Sequence, residues 1–162
     1  MTKQKIIILL ATFFGSGKLP KSPGTWGTLA TIPLWYLMAN NLHAVTYMIV
    51  TLLLCVAAIV IAQAYENMTN THDSKEIVID EVVGFLITMT WLPLTWQSLI
   101  AGFILFRIID ITKPPPIRQL DQKIKGGVGV VIDDIAAGLV CNIILQMVYT
   151  YTPWLGAQTQ TL

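Results

Sequence analysis

Ten basic and nine acidic residues fall in three blocks, residues 3–21, 66–81 and 107–134, with no formal charge between or after them. Two chargeless stretches, 22–65 and 82–106, and an uncharged tail make up the rest of the 162-residue chain. A soluble domain spreads charge along its length to keep its surface in water; confining it to three short blocks leaves long segments that only lipid or a protein interior can solvate. Composition agrees: 54% of residues are hydrophobic, only 12% are charged, and the mean hydropathy is +0.65, against roughly 25% charged in an average soluble domain.

Residues 44–62 (AVTYMIVTLLLCVAAIVIA) approach the roughly 20 apolar residues needed to cross a bilayer. Residues 135–151 form a second candidate. Residues 28–38 are shorter and precede Asn40-Asn41, so 28–62 reads as a helical hairpin. In 82–106, Trp91, Pro93, Trp96 and Gln97 mark an interfacial turn, so a second hairpin of short helices is preferred over one kinked span. The expected fold is therefore all-α: one domain over 1–162, a small polytopic membrane bundle of two helical hairpins and a C-terminal membrane helix. Its charged loops gather on one face, and since all Lys and Arg lie there, that face is expected to be cytoplasmic. The run 6–14 lacks a small-residue cleavage site after it and is expected to be retained. No basic arm suggests nucleic acid. Cys55 and Cys141 sit in apolar runs without metal-ligand spacing and read as buried thiols.

Each charged block also carries chemistry-bearing residues. In the first, Gly17-Lys18 resembles a P-loop only superficially: Thr12 stands where its first glycine belongs, and Leu19 replaces its Ser/Thr. What remains is a glycine- and proline-rich loop with Lys18 and Lys21 entering a helix, suited to a phosphate or to resting on anionic headgroups. In the second, Asp73, Glu76 and Asp80 share one face if the segment is helical, with Glu81 beside it. Stacked carboxylates with only Lys75 nearby need a cation, and oxygen-only ligands suit Mg²⁺ or Mn²⁺; the plain alternative is a solvated helix start. In the third, Arg107, Asp110 and Lys113 precede Pro114-Pro115-Pro116, and Gly126-Gly127-Val128-Gly129 leads to Asp133-Asp134. That acidic pair, at the expected start of a membrane helix, needs a metal or lysine opposite, and Asp133 could equally serve as an N-cap. With no nucleophile elbow or phosphatase cysteine loop, and with His43 and His72 unsuited, the chemistry falls to carboxylates, cations and metal.

Four motifs occur in order: G-S-G-x-x-P-x-S-P-G-T-x-G-T from Gly15, I-x-x-D-E-x-x-G from Ile77, F-R-x-x-D-x-x-K-P-P-P-I from Phe106, and G-G-x-G-x-x-x-D-D-x-x-A-G from Gly126. In this the chain resembles the phosphatidylglycerophosphatase A family. The resemblance implies a multi-pass bacterial inner-membrane enzyme of phospholipid biosynthesis, dependent on Mg²⁺. Its reaction would convert phosphatidylglycerophosphate to phosphatidylglycerol and phosphate. On this basis Asp80, Glu81, Asp133 and Asp134 are expected to hold Mg²⁺, with Asp80 and Asp133 also candidates for catalysis. Lys113 and Arg107 would act on the phosphate. Lys18, Gly24, Thr25, Gly126 and Gly127 join Lys113 as candidate substrate contacts, and Asp73 and Asp110 are further candidates. Attack by an activated water is preferred over an aspartyl-phosphate on Asp80 or Asp133. The alternatives are hydrolysis of another lipid or prenyl phosphate, and a non-catalytic membrane subunit with a cation site.

Overall fold

The computed structural model describes residues 2–71, 74–115, 117–119 and 124–156, and among them it is all helical, without strands. The elements are α1 (Lys3–Ala11), a 3₁₀ turn (Ser16–Lys18), α2 (Pro23–Asn41), α3 (Ala44–Thr69), α4 (Ile79–Thr88), α5 (Trp96–Thr112) and α6 (Gly126–Tyr151).

Helix α4 is the centre of the bundle. Of its residues only Glu81 is not fully buried, as expected of a helix that is apolar beyond the Asp80-Glu81 pair in its first turn. It is also where backbones approach most closely. A Cβ at Gly84 would meet the Phe106 ring of α5 and the Asp134 carbonyl of α6; one at Gly138 would meet the Gly84 carbonyl and Ile87. Helices α4 and α6 therefore run side by side in the same direction, from Gly84 beside Asp134 to Thr88 beside Asn142. Helix α5 returns antiparallel, with Phe106 on Gly84 and Gly102 on Met89. Where α4 ends, Asn142 donates to the Thr88 carbonyl (3.0 Å) and the Thr90 carbonyl (2.7 Å), and Gln146 adds a 3.0 Å bond to the latter. These bonds satisfy acceptors that a helix terminus leaves open.

The outer surface inverts the soluble pattern. On α3, Val45, Ile49, Leu52, Leu53, Val56 and Val60 form an exposed stripe while Thr51 faces inward; on α5, Ile100, Ile104, Ile108 and Ile111 do the same. A helix on the surface of a soluble domain would carry polar residues there. Helices α3 and α6 are each long and apolar enough to cross a membrane. Only 22% of the most apolar window of α3 is buried, which is unlike the core helix of a soluble protein. Exposed Trp91, Trp96, Tyr151 and Trp154 cluster in sequence near the ends of α4, α5 and α6 remote from the charged residues, as aromatic side chains do at a lipid–water boundary.

Three sequence-based boundaries change. Helix α2 starts at Pro23 and extends to Asn41, because proline is favourable in a first turn. Glu76 lies in the non-helical segment before α4, so it shares no helical face with Asp80; it accepts a 2.9 Å hydrogen bond from the Tyr65 hydroxyl instead. Helix α6 begins at Gly126, well before residue 135, with Lys125 as its N-cap. Asp133 thus lies inside the helix and is not its cap. The glycines are accommodated because Gly127 packs directly on the Ile59 carbonyl and Gln63 of α3, a tight fit for which glycine is required.

Candidate active site

The parallel pairing of α4 and α6, with α5 antiparallel, brings the start of α4, the end of α5 and the second turn of α6 to one level. There they enclose a pocket of about 410 Å³. Five carboxylates line it, Asp80, Glu81, Asp110, Asp133 and Asp134, against three cations, Lys75, Arg107 and Lys113. With all five ionised, that leaves two negative charges in excess among the described residues, the charge one divalent cation would neutralise.

The cations are held by part of the acidic set. Lys113 Nζ lies 2.6 Å from Asp133 Oδ2, and Arg107 donates to Asp110 Oδ2 at 2.7 Å while standing 3.8 Å from Glu81 Oε1. Lys113 sits at the left-handed C-cap of α5 (φ 41°), where Pro114 prevents the helix from continuing. The remaining carboxylates face one another: one oxygen each from Asp80, Glu81 and Asp134 lies within 4.8 Å of the others. Octahedral Mg²⁺ at 2.0–2.1 Å from its ligands spaces opposite oxygens about 4 Å apart, so small side-chain rotations close this set on an ion. Glu81 Oε2 and Asp134 Oδ2 are buried and without a hydrogen-bond partner, a costly state for carboxylates that a cation relieves. An all-oxygen donor set fits Mg²⁺ and not a soft metal.

Electrostatics point the same way. Burial, reinforced by Glu81, raises the Asp80 carboxyl well above its ordinary range. Burial pushes Glu81 up to about 8, with Asp134 and Asp110 adding repulsion. In the metal-free protein the folded state therefore binds more protons than the unfolded chain. Stability is then complete below the unfolded Glu value near 4.5 and declines as pH rises toward about 8. Melting in chelator should accordingly fall between pH 5 and pH 8; a midpoint that stays level over that range would contradict the raised Glu81 carboxyl.

Gly24, in the first turn of α2, also lines the pocket; a Cβ there would collide with the Glu81 carboxylate and Arg107. The other expected site residues are placed elsewhere. Thr25 does not line the pocket, Lys18 lines a separate cleft, and Gly126 and Gly127 pack on Gln63 of α3, whose Oε1 accepts from the Gly127 amide at 2.9 Å. Asp73 lies outside the described residues. Ser22, Ser74 and Lys75 line the pocket without having been singled out as site candidates. Of these Lys75 carried a sequence signal as the basic residue nearest the acids in its block, and Ser22 as the serine of S-P-G-T in the first motif; Ser74 carried none.

A family model described as Phosphatidylglycerophosphatase A matches residues 9–149. The phosphatidylglycerophosphatase A of Escherichia coli (strain K12) is 43% identical over 146 residues, covering 90% of this chain and 84% of that protein. That of Haemophilus influenzae is 39% identical over 140 residues, covering 86% of each. A Bacteroides thetaiotaomicron protein, named as a candidate phosphatidylinositol-3-phosphatase, is 36% identical over 152 residues, covering 86% of this chain and 91% of that protein. No solved structure matches the chain significantly.

Proposed function

Since the chain belongs to the phosphatidylglycerophosphatase A family, and is thereby a phosphoric monoester hydrolase, we propose that it converts phosphatidylglycerophosphate to phosphatidylglycerol and phosphate with Mg²⁺, in phospholipid biosynthesis. The observation that carries the chemical part of this reading is the convergence of the Asp80, Glu81 and Asp134 oxygens beside Lys113 and Arg107 in one pocket. A lipid substrate suits that location: its acyl chains stay among the exposed apolar stripes of the helices while its headgroup enters the charged end.

Asp80, Glu81 and Asp134 would hold the ion, which when bound supplies charge neutralisation for the phosphoryl group and activation of water. Asp133 and Asp110 are orienting groups: each fixes one cation at the pocket wall, so that Lys113 and Arg107 meet the phosphate without first being ordered. These cations bind the non-bridging oxygens, whose charge they stabilise as the bond to the glycerol oxygen breaks. Water adds its oxygen to phosphorus and gives up a proton, the phosphorus–glycerol oxygen bond breaks, and the leaving alkoxide takes up a proton, so that one water is consumed and the protons balance. The first turn of α2 approaches from the other side. Its glycine at position 24 leaves room for the Glu81 carboxylate and for substrate.

Phosphate release from vesicles containing phosphatidylglycerophosphate tests this. Activity should disappear in EDTA, return with Mg²⁺ and return poorly with Zn²⁺; undiminished turnover in chelator would remove the metal mechanism. The Bacteroides relative favours a second substrate class, so phosphatidylinositol 3-phosphate belongs in the same assay. Preference for it would redirect the substrate while keeping the chemistry, and no release from either lipid would favour a non-catalytic cation-binding subunit. We further propose a multi-pass protein of the bacterial inner membrane with its charged face cytoplasmic, because every Lys and Arg lies in the three charged blocks. In right-side-out vesicles, an impermeant thiol reagent should then label N41C and not T71C; the reverse pattern would invert the orientation.

A further inference from the structure

Lys18 lines a second cleft, of about 230 Å³, formed by Lys5, Ile8, Leu9, Thr12, Gly15 and Lys18 between α1 and the 3₁₀ turn. It shares no residue with the acidic pocket and contains no carboxylate. Its two lysines are exposed, and neither makes an ion pair with a described residue. Beside it is an apolar recess of about 360 Å³, walled by Phe13, Phe14, Ala30, Pro33, Leu34 and Leu37. A cationic cleft and a hydrocarbon recess thus flank one turn.

That turn has unusual backbone. Phe13 (φ 38°), Phe14 (φ 58°) and Gly15 (φ 92°) are consecutive left-handed residues, and bulky side chains avoid this region. The conformation is held by the Phe14 amide on the Leu9 carbonyl (2.8 Å) and by the Gly15 and Gly17 amides on the Thr12 carbonyl (3.0 Å each). Its result is to leave Phe14 69% exposed, its ring edge-on to Phe13 at 5.3 Å, on the wall of the recess and next in sequence to Gly15 of the cleft. Strain that presents an aromatic side chain to the surroundings calls for a functional account. Gly17, at the end of the turn, packs on the Glu76 backbone and Val78, so the cleft lies at the same end of the bundle as the acidic residues that open α4.

The geometry points to a second, non-catalytic lipid site: an anionic phospholipid with its phosphate between Lys5 and Lys18 and an acyl chain against Phe14 and Leu37. Cations meet the headgroup, the aromatic sits at the headgroup–chain boundary, and the recess takes hydrocarbon. The site stands independently of which phosphomonoester the acidic pocket hydrolyses.

Lipid retention by the purified full-length protein tests it, using native mass spectrometry in nonionic detergent with dioleoylphosphatidylserine or dioleoylphosphatidylcholine added at equal concentration. The protein should retain the anionic lipid preferentially, and K5Q/K18Q should lower that retention by roughly ten-fold or more, as expected when two surface lysines are removed. F14S should weaken retention with both lysines present, and L37S provides the same test should F14S fold poorly. Mg²⁺-dependent phosphate release in mixed micelles should stay within about two-fold in these variants, because none of them touches the acidic pocket. Equal retention of the two lipids by the unmodified protein, or unchanged phosphatidylserine retention in K5Q/K18Q, would overturn the site. Displacement of the lipid by millimolar inorganic phosphate would likewise overturn it, showing a simple anion cleft.

Discussion

Asp134→Asn should leave a folded protein that releases phosphate several hundred- to a thousand-fold more slowly, the scale of about 3–4 kcal/mol for a lost transition-state charge contact. The substitution preserves size and removes charge. Asp134 lies inside α6, where its side chain is buried and its Oδ2 is without a hydrogen-bond partner, so the neutral amide removes the group proposed to face the ion. Asp80→Asn should behave alike, and the double variant should be little worse than either single one if both side chains serve one metal. Asp133→Asn should differ, because Asp133 is paired with Lys113 at 2.6 Å; its loss should appear first in KM, through a less well-ordered lysine. Melting in detergent alongside Mg²⁺-titrated phosphate release measures both effects. Full turnover of Asp134→Asn at limiting Mg²⁺ would return this aspartate to a purely structural role.

Lys113→Met should be the most damaging change to the fold as well as to the reaction. It removes the 2.6 Å partner of Asp133, a carboxylate only 6% exposed; because Lys113 itself is 30% exposed, the loss should stay below the about 3–5 kcal/mol of breaking a fully buried pair. Lys113→Arg keeps the charge and should largely retain the melting temperature. Its guanidinium replaces a compact ammonium at a sharply bent position, φ 41° ahead of Pro114, so turnover should still fall. Comparing the two variants by thermal melting and by kcat/KM separates the electrostatic contribution of Lys113 to folding from its contribution to phosphate binding. Equal melting temperatures for Met and Arg would show that Asp133 does not depend on this lysine.

Much of the fold was legible because the solvent preference of each segment is written into its composition. Long apolar runs could only be helices in lipid or in a core, since no other element satisfies its own backbone there, and α3 and α6 lie where those runs are. Boundaries were less legible. Glycine is an unfavourable helix residue, so Gly126-Gly127 reads as a loop until α3 is seen lying against it, with Gln63 accepting the Gly127 amide. The apparent Glu76–Asp80 helical face had the right spacing, but the Tyr65 hydroxyl holds Glu76 in the non-helical segment before α4.

Within the site the same division holds. The sequence by itself determined the cast: mostly oxygen ligands, with His72 the one histidine in the charged blocks, cations within the same blocks, and four ordered motifs that identify the family. Only the tertiary structure decided which members meet. Asp80 and Glu81 are far along the chain from Asp133 and Asp134. They share a pocket because Gly84 and Gly138 let α4 and α6 approach in parallel, while α5 turns back to deliver Arg107, Asp110 and Lys113 to the same level. The structure also divided the acids, two to hold cations and three to face one another, and sent Lys18 to a different cleft. The physical reason is that composition and periodicity report what each segment can be dissolved in, whereas the meeting of distant side chains depends on the contact geometry of helices, and that geometry is set by small residues visible only once their neighbours are in place.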